Sequence, residues 1–460
     1  MSINMAVAAS GAAAAAVESA VPGLVSDHFA SRLFAEDATL WGPEAESEAG
    51  KRLAWTGLHR TSRPLVGEVE ALREELMTDG VDRVVLCGMG GSSLAPEVIC
   101  ATEGKDIVIL DSSHPVSVRA ALTDLDRTVV VVSSKSGGTV ETDSQRRAFV
   151  AAFEDAGIDP TSRMVIVTDP GSPLEEQSRA DGFRVVTADP KVGGRFSALT
   201  AFGLVPAALA GVDVAALLDD AEAVADILAS DDADNPALIL GAVLAGTAPL
   251  RDKIMLVENG TPIVGFGDWA EQLVAESTGK NGTGVLPVVV IPDAGTRRGD
   301  ILDADDITTI ELVEDVEEAE LAGASAAAVS GALGAQLLLW EAATAVAGCS
   351  ASTRSTSRTS RARRRLPASC SARAPGVPPL PCSPTETSRS GSCPRTGPAA
   401  SGSGRRRTCP TPSQPYSSSS TIRMATSPSW RTSTARRAAP AATPLFPPSL
   451  PCSVAPLTAQ

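Results

Sequence analysis

The sequence predicts an α/β protein built on parallel sheets, and three observations carry the prediction. From residue 83 short β-branched runs recur, "RVVLCG", "DIVILD", "TVVVVSS", "RMVIVTD" and "FRVVTAD", with helical stretches between them. The runs are continuously apolar rather than alternating, as strands buried on both faces require, and their alternation with helices implies right-handed crossovers. After a helical interval from about 213 to 250, the pattern restarts with "DKIMLVEN", "GVLPVVVIP" and "TTIELVED", a second α/β unit in tandem. A chain of 460 residues, 43% of them hydrophobic, is long enough for two or three domains with substantial cores.

The elements follow in order. Residues 1–74 read as an N-terminal helical segment. Leu65, Val69, Leu72 and Leu76, spaced by four, three and four, mark one helical face leading into the first strand. Residues 75–225 then form a first α/β domain and 226–348 a second, incomplete one. The last clear element is "LGAQLLLWEAATAVAG", read as a helix that stops at Gly348.

Residues 349–460 speak a different language, rich in Ser, Arg, Pro, Thr and Ala. They hold sixteen arginines, no lysine and a single acid, Glu386, a net +15 that leaves the other 348 residues with −31. An acidic body of that kind argues against non-specific nucleic-acid binding, which needs clustered cations. Six of the eight cysteines also lie in the tail, yet no C-x-x-C and no histidine accompanies them, so neither a zinc module nor a disulfide scaffold is indicated. No Lys or Arg precedes Arg32, so the charged start of a signal peptide is missing; nothing approaches a membrane-spanning run, and the expected location is the cytoplasm.

Two strand ends carry the candidate chemistry. In "CGMGGSSLAPEV", Gly88, Gly90 and Gly91 allow close backbone approach to a ligand, with Ser92 and Ser93 where a helix would start. In "SSKSGGTVET", Ser133, Ser134, Ser136 and Thr139 offer hydroxyls, Gly137 and Gly138 open backbone, and Lys135 a positive charge. Strand ends of one parallel sheet meet at its carboxyl edge, and together these two describe a phosphate cradle. Either loop alone serves packing equally well. A dinucleotide fold competes, with Asp111 as the ribose-binding acid, but G-x-G-x-x-G requires glycine where Ser93 stands; Gly279-Lys280 is no P-loop, since Val274 occupies the first glycine's place.

Two further stretches supply a cation and an acid. Arg195 in "VGGRFSALTAFGL" follows Gly193 and Gly194 and is either a fixed cation at the crevice or a helix-start surface charge. In "GDWAEQLVAESTGKNGTG", Gln272 and Glu276 share a helical face, and burial of Leu273 and Val274 beside Glu276 would raise a carboxyl pKa toward working pH. The plain alternative is a Glu276–Lys280 helix pair of about 0.2–0.5 kcal/mol.

These motifs, in this order across most of residues 75–348, closely resemble the glucose-6-phosphate isomerase family, built from two sugar-isomerase (SIS) domains. The resemblance implies two SIS-type, flavodoxin-like three-layer domains and a reversible interconversion of glucose 6-phosphate and fructose 6-phosphate, in glycolysis and gluconeogenesis. It assigns Ser134, Lys135, Ser136 and Thr139 to the substrate phosphate, with Gly91, Ser92 and Gly194 beside it, Gln272 to the sugar, Arg195 to the developing enediolate and Glu276 to the base. One carboxylate that accepts and returns a proton, with one cation beside O1 and O2, completes the reaction through a cis-enediol without metal or redox cofactor. A homodimer is implied, with the long apolar helix 332–347 the place to seek one of its buried faces, and no nucleic-acid or membrane partner. The alternatives are a non-catalytic sugar-phosphate-binding SIS module, an inactive truncated isomerase, or, more distantly, an NAD-dependent dehydrogenase.

Two departures from the family stand out. Its ring-opening histidine, in "G-x-x-G-Q-H", is replaced in "GALGAQ" by Gln336, and its C-terminal lysine has no counterpart in a tail without lysine. A change of reading frame after Gly348 accounts for the second. Residues 349–364 admit a coding in which the frame one base earlier reads LLGINPFDQPDVESAK, an apolar helical continuation followed by an Asn-Pro turn. On this reading residues 349–460 are a non-native tail, and a chain so translated leaves the apolar face around Leu337, Leu338 and Trp340 uncovered. The competing account is a genuine disordered tail.

Overall fold

The computed structural model describes residues 5–280, 282–290 and 304–364, with side chains as far as Cys349. Among the described residues ten strands form two five-stranded sheets: β1 (Ala6–Ser10), β2 (Arg83–Cys87), β3 (Val108–Leu110), β4 (Thr128–Ser133), β5 (Met164–Thr168), β6 (Arg184–Thr187), β7 (Lys253–Glu258), β8 (Leu286–Val290), β9 (Ile307–Leu312) and β10 (Ser325–Ser330). The helices that matter to the site and its support are α1 (Gly11–Ser26), α2 (Arg63–Thr78), α3 (Leu94–Thr102), α4 (Val140–Asp155), α5 (Ala201–Leu209), α6 (Val214–Leu228), α7 (Pro236–Ala245), α8 (Phe266–Thr278) and α9 (Leu333–Arg364). All eight runs read as strands are strands, and the spaced leucines and valine of 65–76 lie on α2, with Val69, Leu72 and Leu76 turned to the core.

The first sheet has the order β3-β2-β4-β5-β6, every neighbouring pair parallel. Counted within that sheet this is 2-1-3-4-5, the flavodoxin-like winding, whose direction reverses between β2 and β4 and opens a crevice beyond their carboxyl ends. Its strands are buried on both sides. Val84, Leu86, Val129, Val131, Val165 and Val167 face one core. Val85, Cys87, Val130, Val132, Met164 and Ile166 face another, completed by Phe149 and Phe153 of α4. That two-sided burial, worth about 1.5–3 kcal/mol for each fully covered Val or Leu, explains why the runs show no polar alternation.

The second sheet repeats the start of that winding. Its order is β8-β7-β9-β10, all parallel, and β1 closes the far edge antiparallel to β10. Pro287 lies in β8, an edge strand, where a missing N–H is tolerated.

Three expectations need correction. The N-terminal segment is not helical throughout, because residues 6–10 form β1. The strand it pairs with, "SAAAVS", escapes recognition because alanine is a strong helix former. Its small side chains, all fully buried, suit close packing against α1: a Cβ on Gly11 would lie 2.3 Å from the Ala324 carbonyl oxygen. Helix α9 does not stop at Gly348 but runs to Arg364. Its apolar face is not left uncovered either, since Leu337, Leu338, Leu339 and Trp340 are fully buried, with α9 packed against α6, α7 and α8 of the same chain. Of residues 332–347, expected to offer a face to a second copy, all but Ala332 are buried within this chain. The expected change of reading frame concerns residues 349–460, of which those beyond 364 lie outside the described residues. Among the described residues no helix is long and apolar enough to cross a membrane.

Candidate functional site

The two glycine- and serine-rich loops leave the carboxyl ends of β2 and β4, adjacent strands in register with Cys87 opposite Val132, so both open onto the crevice where the winding reverses. In the first loop Gly90 takes a left-handed backbone (φ 56°) and lies so close to Gln272 that a Cβ there would sit 2.7 Å from Nε2. A Cβ on Gly91 would come within 2.3 Å of the Gly194 carbonyl oxygen. Glycine is required at 90 and 91 for these approaches. Ser93 is buried and donates to the Gly90 carbonyl (3.1 Å), closing the turn, whereas Ser92 is partly exposed at its rim.

The second loop folds on itself. Ser134 Oγ accepts from the Gly137 N–H and Ser136 Oγ from the Gly138 N–H, each at 3.2 Å. Both hydroxyls thus keep their own hydrogens to donate. Thr139 is the N-cap residue of α4 without a side-chain capping bond, so its hydroxyl is not engaged in ending the helix. Lys135 is more constrained than its sequence context suggests. Its ammonium donates to the Val192 carbonyl (2.7 Å) and pairs with Asp169 (2.9 Å), which occupies two of its three N–H groups and ties this loop to the segment before Arg195. Burial pushes the Asp169 carboxyl above its ordinary value, against the lowering pull of Lys135.

Arg195, Gln272 and Glu276 meet beside the first loop. Gln272 Nε2 donates to Glu276 Oε1 at 3.2 Å, and Arg195 Nη1 stands 3.7 Å from Glu276 Oε2. The Arg195 side chain is only 26% exposed, which sets aside the surface-charge alternative, and burial lowers its pKa from a very high starting value. Glu276 is 53% exposed, so the burial expected from Leu273 and Val274 does not reach it; those two point to the core from the opposite side of α8. Among the described residues its cationic partner is Arg195, not Lys280.

Sequence reasoning missed three supports. Ser277 accepts from Arg195 Nε at 2.6 Å, Phe196 lies under the guanidinium with Cζ 5.4 Å from the ring centre, and Trp55 stacks on Phe196 at 5.2 Å. Asp169 was legible, as the acid that ends "MVIVTD" at the same carboxyl edge. Ser277 and Trp55 were not, because nothing local marks a helix serine or a ring 140 residues away as a support of Arg195, and Phe196, though next to it in the chain, carries no signal that its ring turns under the guanidinium. A cavity of about 590 Å³ adjoins this cluster, lined among others by Trp41, Arg52, Arg195, Phe196, Ser277 and Thr344. Gln336 takes no part: it is buried and accepts from Trp340 Nε1 at 3.0 Å.

Comparison with known proteins points to one family. Residues 69–250 match the model of the phosphoglucose isomerase family, a span that includes both loops and Arg195 but ends before Gln272. A probable glucose-6-phosphate isomerase from Haloarcula marismortui is 35% identical over 231 residues, 48% of this chain and 53% of that protein. A glucose-6-phosphate isomerase from Rippkaea orientalis is 35% identical over 210 residues, 43% of this chain and 40% of the relative. The chain thus spans about half the length of the curated relatives it matches. In fold it is similar to a hypothetical protein from Thermus thermophilus (TM-score 0.61, 23% identity, 78% of this chain and 100% of that one). It is also similar to a glucose-6-phosphate isomerase from Chlamydia trachomatis (TM-score 0.53, 19% identity, 74% and 79%). Residues 69–250, the span that holds both loops and Arg195, are thus similar to the phosphoglucose isomerase family.

Proposed function

We propose that the chain is an aldose–ketose isomerase interconverting glucose 6-phosphate and fructose 6-phosphate, acting in the cytoplasm as a homodimer through domains 75–225 and 226–348. The observation that carries the reading is the Glu276–Arg195 pair: a half-exposed carboxylate facing a largely buried guanidinium beside a hydroxyl-rich loop. Ser134, Ser136 and Thr139 donate to the phosphate with Lys135 beside them, and the backbone at Gly91, Ser92 and Gly194 borders it. Gln272 holds Glu276 on one oxygen and leaves the other toward Arg195.

On the open-chain aldose, Glu276 removes the C2 proton. The C2–H electron pair becomes the C1=C2 bond, and the carbonyl pair moves onto O1, where Arg195 meets the charge of the enediolate. The O2 proton then passes through water to O1, the O2–H pair closes the C2=O2 bond, and the C1=C2 pair takes the proton back from Glu276 at C1, which gives the ketose. The change of frame after Gly348 belongs to the same proposal. It predicts that the locus, resequenced, continues into an Asn-Pro-containing segment and a lysine-bearing helix.

The test is Glu276→Gln. Turnover between the two hexose phosphates should fall by about 10²–10⁴-fold, the usual weight of a general base, while affinity for fructose 6-phosphate stays within twofold. Unchanged behaviour in both would instead indicate a sugar-phosphate-binding module.

A further inference from the structure

The cation of the proposed reaction is held more firmly than a binding role alone requires. Two contacts fix Arg195, the Ser277 hydroxyl on Nε at 2.6 Å and the Phe196 ring under Cζ, and Trp55 stacks behind that ring. The ring limits tilt of the guanidinium, and the hydroxyl limits its rotation within the plane. With Nε occupied, the Nη1–Nη2 edge is the one left for a ligand, and Nη1 is already the atom nearest Glu276. That edge is the fork with which arginine engages two oxygens at once.

Ser277 also follows Glu276 directly in the chain, both within the last turn of α8, which ends at Thr278. The base and the anchor of the cation therefore share one rigid backbone segment. The helix's carboxyl end, with its partial negative charge, further favours a cation there. We infer that Ser277 is a positioning residue that fixes the Arg195 guanidinium opposite Glu276, so that its free edge meets O1 and O2 of the planar enediolate. This rests on the isomerase reading of the site. Ser277 touches no reacting atom; it acts through Arg195.

The test compares Ser277→Thr, which retains the hydroxyl, with its near-isostere Ser277→Val, which does not, and with Ser277→Ala. Affinities are measured calorimetrically for two probes: a planar, ionisable enediolate mimic (a phosphorylated five-carbon aldonohydroxamate) and hexitol 6-phosphate, which carries the phosphate but no planar anion. Ser277→Ala and Ser277→Val should lose at least tenfold in affinity for the mimic and less than twofold for the hexitol phosphate. Ser277→Thr should stay within threefold of the parent for both. Where the chain turns over, kcat should fall with KM little changed, as for an interaction made in the transition state. Equal losses for the two probes, or no difference between the threonine and valine variants, would overturn the positioning role. A parent chain that binds the mimic no more tightly than the hexitol phosphate would overturn the isomerase reading itself. If one variant does not fold, the remaining hydroxyl-free variant against Ser277→Thr still decides.

Discussion

Arg195 and Lys135 are both cations at the carboxyl edge of the first sheet, yet their surroundings set them different tasks. Lys135 is paired with Asp169 and anchored to the Val192 carbonyl, so on the proposed reading it would offer the phosphate one remaining N–H and a reduced field. Arg195 has a neutral hydroxyl on Nε, an aromatic ring beneath it and the Glu276 carboxylate farther off at 3.7 Å, so on the proposed reading its free edge would meet the reacting carbons. Lys135→Ala should therefore raise KM about tenfold, an effect on the order of 1.4 kcal/mol, with a smaller change in kcat, because the phosphate is remote from the chemistry. Arg195→Ala should depress kcat more than it raises KM. Steady-state kinetics on both variants checks the contrast, and a pure affinity loss in Arg195→Ala would contradict the role given to it.

The elements that place these residues were legible to different degrees. The two-sided burial of the first sheet wrote itself into uninterrupted valine and isoleucine runs, so β2 and β4, and with them the cradle loops, were readable from residues 83–139 alone. β10 was not, because its alanines pack α1 closely instead of filling a wide core, and small residues carry no strand signature. The same limit applies to α9: its start was clear, but neither its extension to Arg364 nor the partner helices that cover Leu337 and Trp340 could be inferred from a local pattern.

Helix α9 also carries a carboxyl at odds with its setting. Glu341 is fully buried, its two oxygens have no hydrogen-bond partner among the described residues, and burial holds its pKa well above the ordinary carboxylate range. A folded-state pKa above the unfolded one means that the folded chain holds this proton more tightly. The stabilising difference is full below the unfolded pKa and is lost as pH rises through the folded one. The thermal midpoint should thus decline on the alkaline side of the ordinary carboxylate range. Glu341→Gln, uncharged at every pH, should flatten that decline. Parallel pH profiles for parent and variant would show that the carboxyl is compensated in solution.

At the scale of the whole molecule, two windings of the same kind are joined so that the loops of the first sheet meet a helix that follows the first strand of the second. Gly90 touches Gln272, and Arg195 touches Ser277. The motifs in each half were visible in the sequence, but their convergence was not, since it depends on how β7 and α8 are set against the 88–93 and 193–197 segments. Ring opening has no assigned group, because Gln336 is turned into the core toward Trp340. The central claim is that Glu276 moves a proton at C2. Incubating open-chain-competent glucose 6-phosphate with the protein in heavy water and following C2 by NMR tests it most directly. The account predicts deuterium at C2 of recovered substrate with the parent chain, and none with Glu276→Gln at equal site occupancy; undiminished exchange in that variant would contradict it.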